Sequence, residues 1–121
     1  MAAKKGNFIH IWGRMGSMVG HVSLQLKNGV YVSLWPTEEQ SVENVKPKQL
    51  VDSHGSDFDN DVIMENNRQP TETIEIKGKL DCDAIGEWWK LDQNAGYNLL
   101  NKNCTDAVKE ALEMGKLPVD E

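Results

Sequence analysis

Apolar and polar residues alternate along the first third of the chain, with the period of two that is typical of β-strands. The segment "NFIHIW" (residues 7–12) alternates in this way and predicts a first strand. The run "HVSLQLKNGVYVSLWP" (residues 21–36) contains two alternating segments around Asn28-Gly29, a dipeptide typical of hairpin turns. Residues 13–20 between them are punctuated by glycine and predict a loop that ends at Gly20. The pattern therefore predicts a strand, a loop and a β-hairpin.

The register of this hairpin follows from its two faces. A two-residue loop would mix polar and apolar residues on both faces. A three-residue loop over residues 27–29, with Gly29 in the left-handed conformation, pairs Leu26 with Val30 and places all the apolar residues on one face. Because a slip of one residue exchanges the faces, this clean separation favours the longer loop. The polar face then carries His21, Ser23, Gln25, Tyr31, Ser33 and Trp35.

The pattern changes after the hairpin. Pro36 is expected to close the hairpin, because proline has no amide hydrogen to donate to a strand ladder. Residues 37–69 are polar and acidic and predict a long loop with room for a short helical turn. Residues 71–78 alternate again and predict another strand.

The C-terminal part has the period of amphipathic helices. Residues 80–94 predict a helix capped by Asp81, and a last helix follows Asn101 or Asn103 and ends at Gly115. The buried side of the first of these helices is expected to carry Ala84, Ile85, Trp88 and Trp89. The whole pattern predicts an α+β domain, a small antiparallel sheet with a C-terminal helix.

Length and composition fit one folded domain over residues 1–121. Hydrophobic residues make up 39% of the chain and four residues are tryptophan, which argues against a disordered protein. The net charge of -6 and the pI near 5.0 argue against nucleic acid or an anionic membrane surface as the main partner.

Compartment and cysteine pairing are also constrained by the sequence. We expect no stable membrane anchor, because no apolar run has the length of a signal peptide or a membrane span. Cys82 and Cys104 each fall at the start of a predicted helix, and nothing in their spacing demands a bridge. A reduced compartment is the better expectation, either the cytoplasm or export without a classical signal peptide.

Cys104 is the first candidate for chemistry, because it falls at or beside the first position of the last helix. It shares one helix face with Val108, Ala111 and Leu112. The positive end of the helix dipole and the free backbone amides at that end favour a thiolate. The dipole contributes only ~0.3–1 kcal/mol, so most of the activation has to come from a neighbouring base. The alternative that Cys104 is simply a small buried residue stays open.

Three histidines are candidates for that base. His54 lies in the acidic segment and is expected to be exposed to solvent. His10 lies in the middle of the first strand, where a packed and hydrogen-bonded ring is expected. His21 begins the hairpin strand after Gly20, on the polar face, and a strand end is well placed to meet a helix N-terminus. His21 is therefore the preferred base.

The segment "DFDND" spaces Asp57, Asp59 and Asp61 like the opening of a calcium-binding loop. However, Val62 occupies the position that requires glycine, and Arg68 the position of the bidentate glutamate. We therefore expect a solvated run of charge here, and neither a metal site nor a cofactor in this protein.

Three blocks in this order, "GHVSLQL", "YVSLWP" and "YNLLNKNCTDAV", resemble the circularly permuted papain-like thiol hydrolases. These include relatives of NlpC-type peptidases, the lecithin:retinol acyltransferase group and the PPPDE group of isopeptidases. In those families a histidine early on a strand precedes a cysteine at the start of a late helix, often in a run Y-x-L-x-x-x-N-C. His21 matches that histidine, and the run is matched by Tyr97, Leu99, Asn103 and Cys104.

The resemblance implies a permuted papain-like fold and a Cys-His mechanism. Cys104 would attack a carbonyl, and His21 would take its proton and later protonate the leaving group. The backbone amide of Cys104 would form part of an oxyanion hole, to which His10 is a further candidate donor. Ser33 matches the third position, where the acyltransferase group has a second histidine. A serine there orients a ring but cannot stabilise imidazolium by charge.

The apolar face raises a geometric question. If the last helix covers that face, His21 points away from Cys104. The pair then meets only if the helix approaches the polar face near Gly20, or if a bulge at that glycine turns the ring.

Three functions are consistent with the sequence. The first is a cysteine peptidase or amidase that cleaves a peptide or isopeptide bond, either as a cytoplasmic enzyme or as an effector delivered by a secretion machine. The second is a thiol acyltransferase or lipase on the same fold, and the third is a catalytically silent binding domain. For the first, Tyr31, Trp35 and the acidic segment would wall the cleft and favour a neutral or basic peptide or protein substrate, unless the tryptophans belong to the core.

Overall fold

A four-stranded antiparallel sheet carries the candidate residues. The structure, a computed structural model, describes residues 6–14, 20–36, 53–97 and 103–116. In chain order the elements are β1 (Phe8–Trp12), β2 (His21–Gln25), β3 (Tyr31–Val32), β4 (Leu34–Pro36), β5 (Ser53–Gly55), α1 (Phe58–Met64), β6 (Glu72–Glu75), α2 (Cys82–Asp92) and α3 (Cys104–Met114). The strand order of the sheet is β3-β2-β1-β6, and β4 pairs with β5 in a second, two-stranded sheet. The α+β class, the small antiparallel sheet and the C-terminal helix that starts at the cysteine are confirmed.

The hairpin has the register predicted from its faces. Leu24 lies opposite Val32, and the backbone N–H of Leu26 donates to the carbonyl oxygen of Val30 at 2.8 Å. Gly29 closes the three-residue loop with a φ of +95°, a conformation in which a side chain would be strained. The loop length and the separation of the faces are therefore confirmed.

The apolar face of the sheet is covered by α3, which packs on β2 and on α2. Asp81 caps α2 and Asn103 caps α3, each by accepting a hydrogen bond from a backbone amide of the first turn. The buried core on this side consists of Leu24, Leu26, Val32, Leu34, Ile85, Trp89, Ala107, Val108 and Ala111, with Trp35, Cys82 and Tyr97 at its margins. This side of the sheet supplies the apolar burial that stabilises the fold.

The opposite face of the sheet is covered by α1, which lies within the segment expected to be a loop. The ring of Phe58 contacts the rings of His10, Trp12 and Tyr31 on that face. Residues 37–69 were expected to form a long loop with room for a short helical turn; the described second part contains the seven-residue helix α1 and also the strand β5, which was not expected. The physical reason is that α1 buries Asp61 and partly buries Phe58 on a sheet face that would otherwise expose aromatic rings.

Pro36 does not close the hairpin, because the pairing of β3 with β2 ends at Val32. The chain leaves the four-stranded sheet at Ser33, and Pro36 then lies opposite Ser53 at the end of the second sheet. A proline is tolerated there because a terminal strand residue need not donate to the ladder.

Candidate active site

Cys104 occupies the first position of α3. A capping box holds this helix start: the side chain of Asn103 accepts from the backbone amide of Asp106, and the carboxylate of Asp106 accepts from the backbone amide of Asn103. The Cys104 side chain is partly exposed, and the backbone N–H of Val22 donates to its sulfur. The thiol is therefore fixed between a helix N-terminus and the beginning of β2.

His21 lies against this thiol. Its Nε2 is 2.8 Å from the Oγ of Ser33 and 3.3 Å from a carboxylate oxygen of Asp61, and the ring also hydrogen-bonds the Cys104 side chain. Because Nε2 faces Ser33, the Nδ1 nitrogen is the one available to the sulfur. The ring of Trp35 stacks on the imidazole at a centroid distance of 4.2 Å and an interplanar angle of 20°, which fixes the ring plane.

The pair meets at the end of the strand, without either of the two rearrangements considered from the sequence. Pairing between β1 and β2 is regular as far as Trp12 opposite His21, so no bulge turns the ring. The helix α3 stays on the apolar face, and its first residue reaches the backbone of Val22, where the sheet ends. At a strand end, side chains from both faces are within reach of one another.

Asp61 is the residue of the site that the sequence interpretation missed. Its side chain is fully buried, although a solvated run of charge was expected, and that expectation is wrong for this residue. The carboxylate accepts hydrogen bonds from the hydroxyl of Ser33, the hydroxyl of Tyr31 at 2.7 Å and the indole N–H of Trp35 at 2.8 Å. With His21 beside it, all the acceptor positions of this buried carboxylate are used.

A sequence signal for Asp61 existed in two parts. Asp61 follows Phe58 by three residues, so both lie on one face of a helix that begins after Asp57. The polar face of the predicted hairpin also carried several hydroxyl and indole donors that would need an acceptor once buried. The helix was not recognised because its seven residues are too few for a clear period.

The ionisation of the Cys104–His21 pair is strongly perturbed. Burial opposes a charge on the sulfur, but the positive charge of His21 and its hydrogen bond lower the pKa of the Cys104 thiol below its ordinary value of 9.0. Burial alone would likewise lower the pKa of His21, but the negative charge of Cys104 and the hydrogen bond to Asp61 raise it from 6.5 to about 9. The two shifts favour the thiolate–imidazolium form of the pair over its neutral form.

The carboxylate that faces this imidazolium is ionised in the same range. Burial works against the charge of Asp61, but its hydrogen bonds with His21, Trp35 and Ser33 hold the pKa of this carboxyl below 3.8. The positive ring therefore lies between two negative groups, which is the reason it keeps its proton.

The structure places the other predicted site residues differently. Tyr31 and Trp35 bind the Asp61 carboxylate behind the His21 ring, so they support the histidine instead of walling the cleft. Trp35 is 5% exposed, and the alternative that the tryptophans are buried is confirmed for Trp12, Trp35 and Trp89.

Neither of the other two histidines reaches the sulfur. His10 is buried, as expected, and its ring nitrogens contact Thr73 at 2.9 Å and Gln25 at 2.8 Å. The structure therefore does not bring it into an oxyanion hole. His54 was expected to be exposed but is partly buried in β5, where its Nδ1 lies 2.8 Å from the carbonyl oxygen of Gly55.

A cavity of about 290 Å³ lies beside the thiol. Trp12 and Tyr97 provide aromatic walls for this cavity. Gly20, which precedes β2, and Thr105, in the first turn of α3, also line it. Tyr97, matched to the family run, is 2% exposed and lies against Cys104, while Leu99 of the same run falls outside the described residues.

The start of α3 also supplies donors to this cavity. The first amides of a helix have no acceptor within the helix, and the backbone N–H of Cys104 is one of them. A carbonyl oxygen bound over the sulfur would lie near this amide and near the positive end of the helix dipole.

No group of three or more His, Cys, Asp or Glu side chains among the described residues is arranged to hold a metal ion. In the same part of the chain, no helix is long and apolar enough to cross a membrane. Cys82 and Cys104 are both free thiols.

Comparison with known proteins adds no assignment. No family model, no curated protein and no solved structure matches this chain. The functional argument therefore depends on the geometry of the site.

Proposed function

We propose that this protein is a cysteine hydrolase of the permuted papain-like type that cleaves an amide bond, in a peptide or an isopeptide. One observation supports this most directly: the His21 ring is held between the Cys104 sulfur on one side and Ser33 with Asp61 on the other. A nucleophile, a base and a group that orients the base are the three parts that covalent catalysis by a thiol requires.

In the first step, the Cys104 thiolate attacks the carbonyl carbon of the substrate amide and forms a carbon–sulfur bond. The carbonyl oxygen takes the electron pair and is stabilised by the backbone N–H of Cys104. The tetrahedral intermediate then expels the amine, which takes the proton from His21, and a thioester on Cys104 remains.

In the second step, His21, now neutral, accepts a proton from a water molecule that attacks the thioester. The carbon–sulfur bond breaks, the acid product leaves, and the thiolate–imidazolium pair is restored. Throughout the cycle the Nε2 of His21 stays bonded to Ser33, whose hydroxyl donates to Asp61. This series of hydrogen bonds compensates for the serine in the third position, because the buried Asp61 carboxylate supplies the negative charge that a hydroxyl lacks.

The pH dependence of alkylation tests the pair. We expect iodoacetamide to modify Cys104 with a midpoint below pH 9, because the charge of His21 lowers the pKa of the thiol against the effect of burial. In His21→Ala the midpoint should move upward, since the charge and the hydrogen bond of His21 no longer oppose the effect of burial, and the rate at pH 7 should fall about tenfold or more. Peptide mapping by mass spectrometry follows Cys104 and Cys82 separately.

Cys82 is the internal control, since this buried thiol has a pKa raised by burial and should react slowly in both proteins. An unchanged Cys104 profile in His21→Ala would refute the catalytic pair and leave a silent binding domain. With the pair established, hydrolysis of peptidoglycan fragments and ubiquitin-like conjugates, compared with acyl transfer from thioesters, separates an amidase from an acyltransferase. Cys104→Ala is the inactive control for both assays.

A further inference from the structure

The cavity beside Cys104 carries a positive charge on its rim. Arg14, the second residue after β1, lines this cavity and is exposed to solvent. Among the described residues that line it, Arg14 is the only charged side chain apart from the Cys104–His21 pair. Within the described part of the chain, no carboxylate forms an ion pair with Arg14. A protein with a net charge of -6 thus presents a cation beside its nucleophile.

The backbone immediately before Arg14 is held by two hydrogen bonds of Gly13. The amide of Gly13 donates to the hydroxyl of Thr71 at 2.9 Å, and the carbonyl oxygen of Gly13 accepts from the guanidinium of Arg68 at 2.6 Å. That guanidinium is itself paired with Glu65 at 2.7 Å, so it adds no free charge to the rim. The position at which the Arg14 side chain begins is therefore constrained by the tertiary hydrogen bonds of the residue before it.

The acidic segment does not offset this charge in the described structure. A neutral or basic substrate was expected because residues 37–69 were predicted to wall the cleft. Residues 37–52 lie outside the described residues, and residues 53–69 contribute no side chain to the described cavity lining. Among the described residues at the rim of the cavity, the charge that a substrate meets is therefore the positive charge of Arg14.

We propose that Arg14 is a specificity-determining residue that binds a carboxylate of the substrate close to the scissile amide. This inference rests on the proposed function, because it concerns the substrate of the same Cys104 site. A guanidinium presents two parallel N–H donors that match the two oxygens of a carboxylate, a geometry that a neutral amide side chain does not complete. The substrate class is therefore an acidic peptide or isopeptide, with a free carboxylate beside the bond that is cleaved.

The charge near the sulfur can be measured with two alkylating reagents of similar size. Iodoacetate is an anion and iodoacetamide is neutral, and both react with the same thiolate, so the ratio of their rates cancels the thiolate population. In Arg14→Gln we expect the iodoacetate to iodoacetamide ratio at Cys104 to fall about threefold at low ionic strength. The difference should shrink at 1 M salt, where the Debye length is ~3 Å.

A protection assay measures binding of the carboxylate itself. The α-amide of N-acetylglutamate should slow the alkylation of Cys104 by iodoacetamide at concentrations at which the α-amide of N-acetylglutamine, which has no carboxylate, does not, and Arg14→Gln should abolish the difference. The matched control is Lys109→Gln, which removes an exposed cation from α3 away from the cavity and should leave both readouts as in the wild type. Equal ratios in the wild type and Arg14→Gln, or equal protection by the two α-amides, would overturn the proposal.

These outcomes are separate from failure of the proposed function. If His21→Ala leaves the pH profile of Cys104 unchanged, the catalytic pair is wrong, yet the effect of Arg14→Gln on the reagent ratio still reports the charge of the cavity. If the pair is right and the ratio does not change, only the substrate class is wrong.

Discussion

A hydroxyl can orient an imidazole but cannot neutralise its positive charge, so Ser33 alone would leave His21 poorly stabilised in the charged form. Asp61 changes this, since its buried carboxylate accepts from Ser33 and lies 3.3 Å from the His21 Nε2. Tyr31 and Trp35 donate to the same carboxylate and fix its position. At the residue scale, burial lowers the pKa of His21, but the negative charge of Cys104 and the hydrogen bond to Asp61 raise it to about 9, so the value depends on more than one partner.

Asp61→Asn should lower the pKa of His21 from its value of about 9, because the variant keeps the shape of the Asp61 side chain and removes its negative charge. Alkylation of Cys104 at pH 7 should slow by about tenfold, which corresponds to a change of one pKa unit. The free energy of unfolding should fall by ~1–3 kcal/mol, since an amide cannot accept from all the donors around it. Titration of the His21 ring by NMR, together with chemical denaturation, measures both effects.

Ser33→Ala should shift the same His21 titration by less, because the direct approach of Asp61 to the ring survives. Asp59→Asn, on the exposed side of α1, is the control and should change neither quantity. A His21 titration in Asp61→Asn that matches the wild type would show that the carboxylate has only a structural role.

At the element scale, the site depends on where β2 begins. Gly20 precedes His21 with a φ of +90°, and a Cβ atom built on it would lie 2.5 Å from the backbone oxygen of Trp12. β2 thus begins with a close backbone contact between Gly20 and Trp12 that only glycine allows. This contact places the ring of His21, the first residue of β2, beside the start of α3. Gly29 has a similar φ of +95°, but nothing lies within 4 Å of its Cβ position.

These two glycines form a matched pair for mutation. Gly29→Ala should cost only the strain of its backbone conformation, ~1 kcal/mol of unfolding free energy, and should leave alkylation of Cys104 unchanged. Gly20→Ala adds a clash with Trp12, so we expect a cost of ~2 kcal/mol or more and a slower Cys104 reaction, because His21 is displaced. Thermal denaturation and the iodoacetamide rate distinguish the two, and equal behaviour of both variants would contradict the role assigned to Gly20.

At the scale of the whole molecule, the sheet separates two kinds of burial. The face that packs on α3 buries aliphatic side chains, whereas the face that packs on α1 buries aromatic rings around an ionised carboxylate. The second arrangement makes stability depend on pH, because protonation of Asp61 removes the charge that its donors stabilise.

The sign of this dependence follows from the lowered pKa of Asp61. A carboxyl whose pKa is lower in the folded protein contributes stability that is complete above its unfolded value of 3.8 and is lost as the pH falls through the folded value. In that window Asp61 should add up to about 1.4 kcal/mol per pH unit to the slope of the unfolding free energy. Urea denaturation between pH 6 and pH 2 should show a shallower slope in Asp61→Asn than in the wild type or in Asp59→Asn, and parallel slopes in all three would exclude this contribution.

The sequence by itself determined the parts of this protein that depend on local periodicity and on the chemistry of neighbouring residues. Alternation predicted β1 and the hairpin, the separation of faces predicted its three-residue loop, and cap residues predicted the helix that begins at Cys104. Segregation of the hairpin faces also predicted that His21 and Ser33 share a side, which the 2.8 Å contact between them confirms. Such features involve residues close in the chain, so a pattern is enough to specify them.

Only the tertiary structure decided which residues from distant parts of the chain contact these elements. Asp61 is 28 residues from Ser33 in the chain, and its seven-residue helix is too short for a clear period, so the pattern alone did not assign Asp61 as the partner of the hydroxyl. The same holds for Arg14, whose place on the rim depends on hydrogen bonds between Gly13 and two residues more than fifty positions away. Packing of distant segments selects these contacts, because a buried carboxylate or a fixed backbone is stable only where donors from several elements converge.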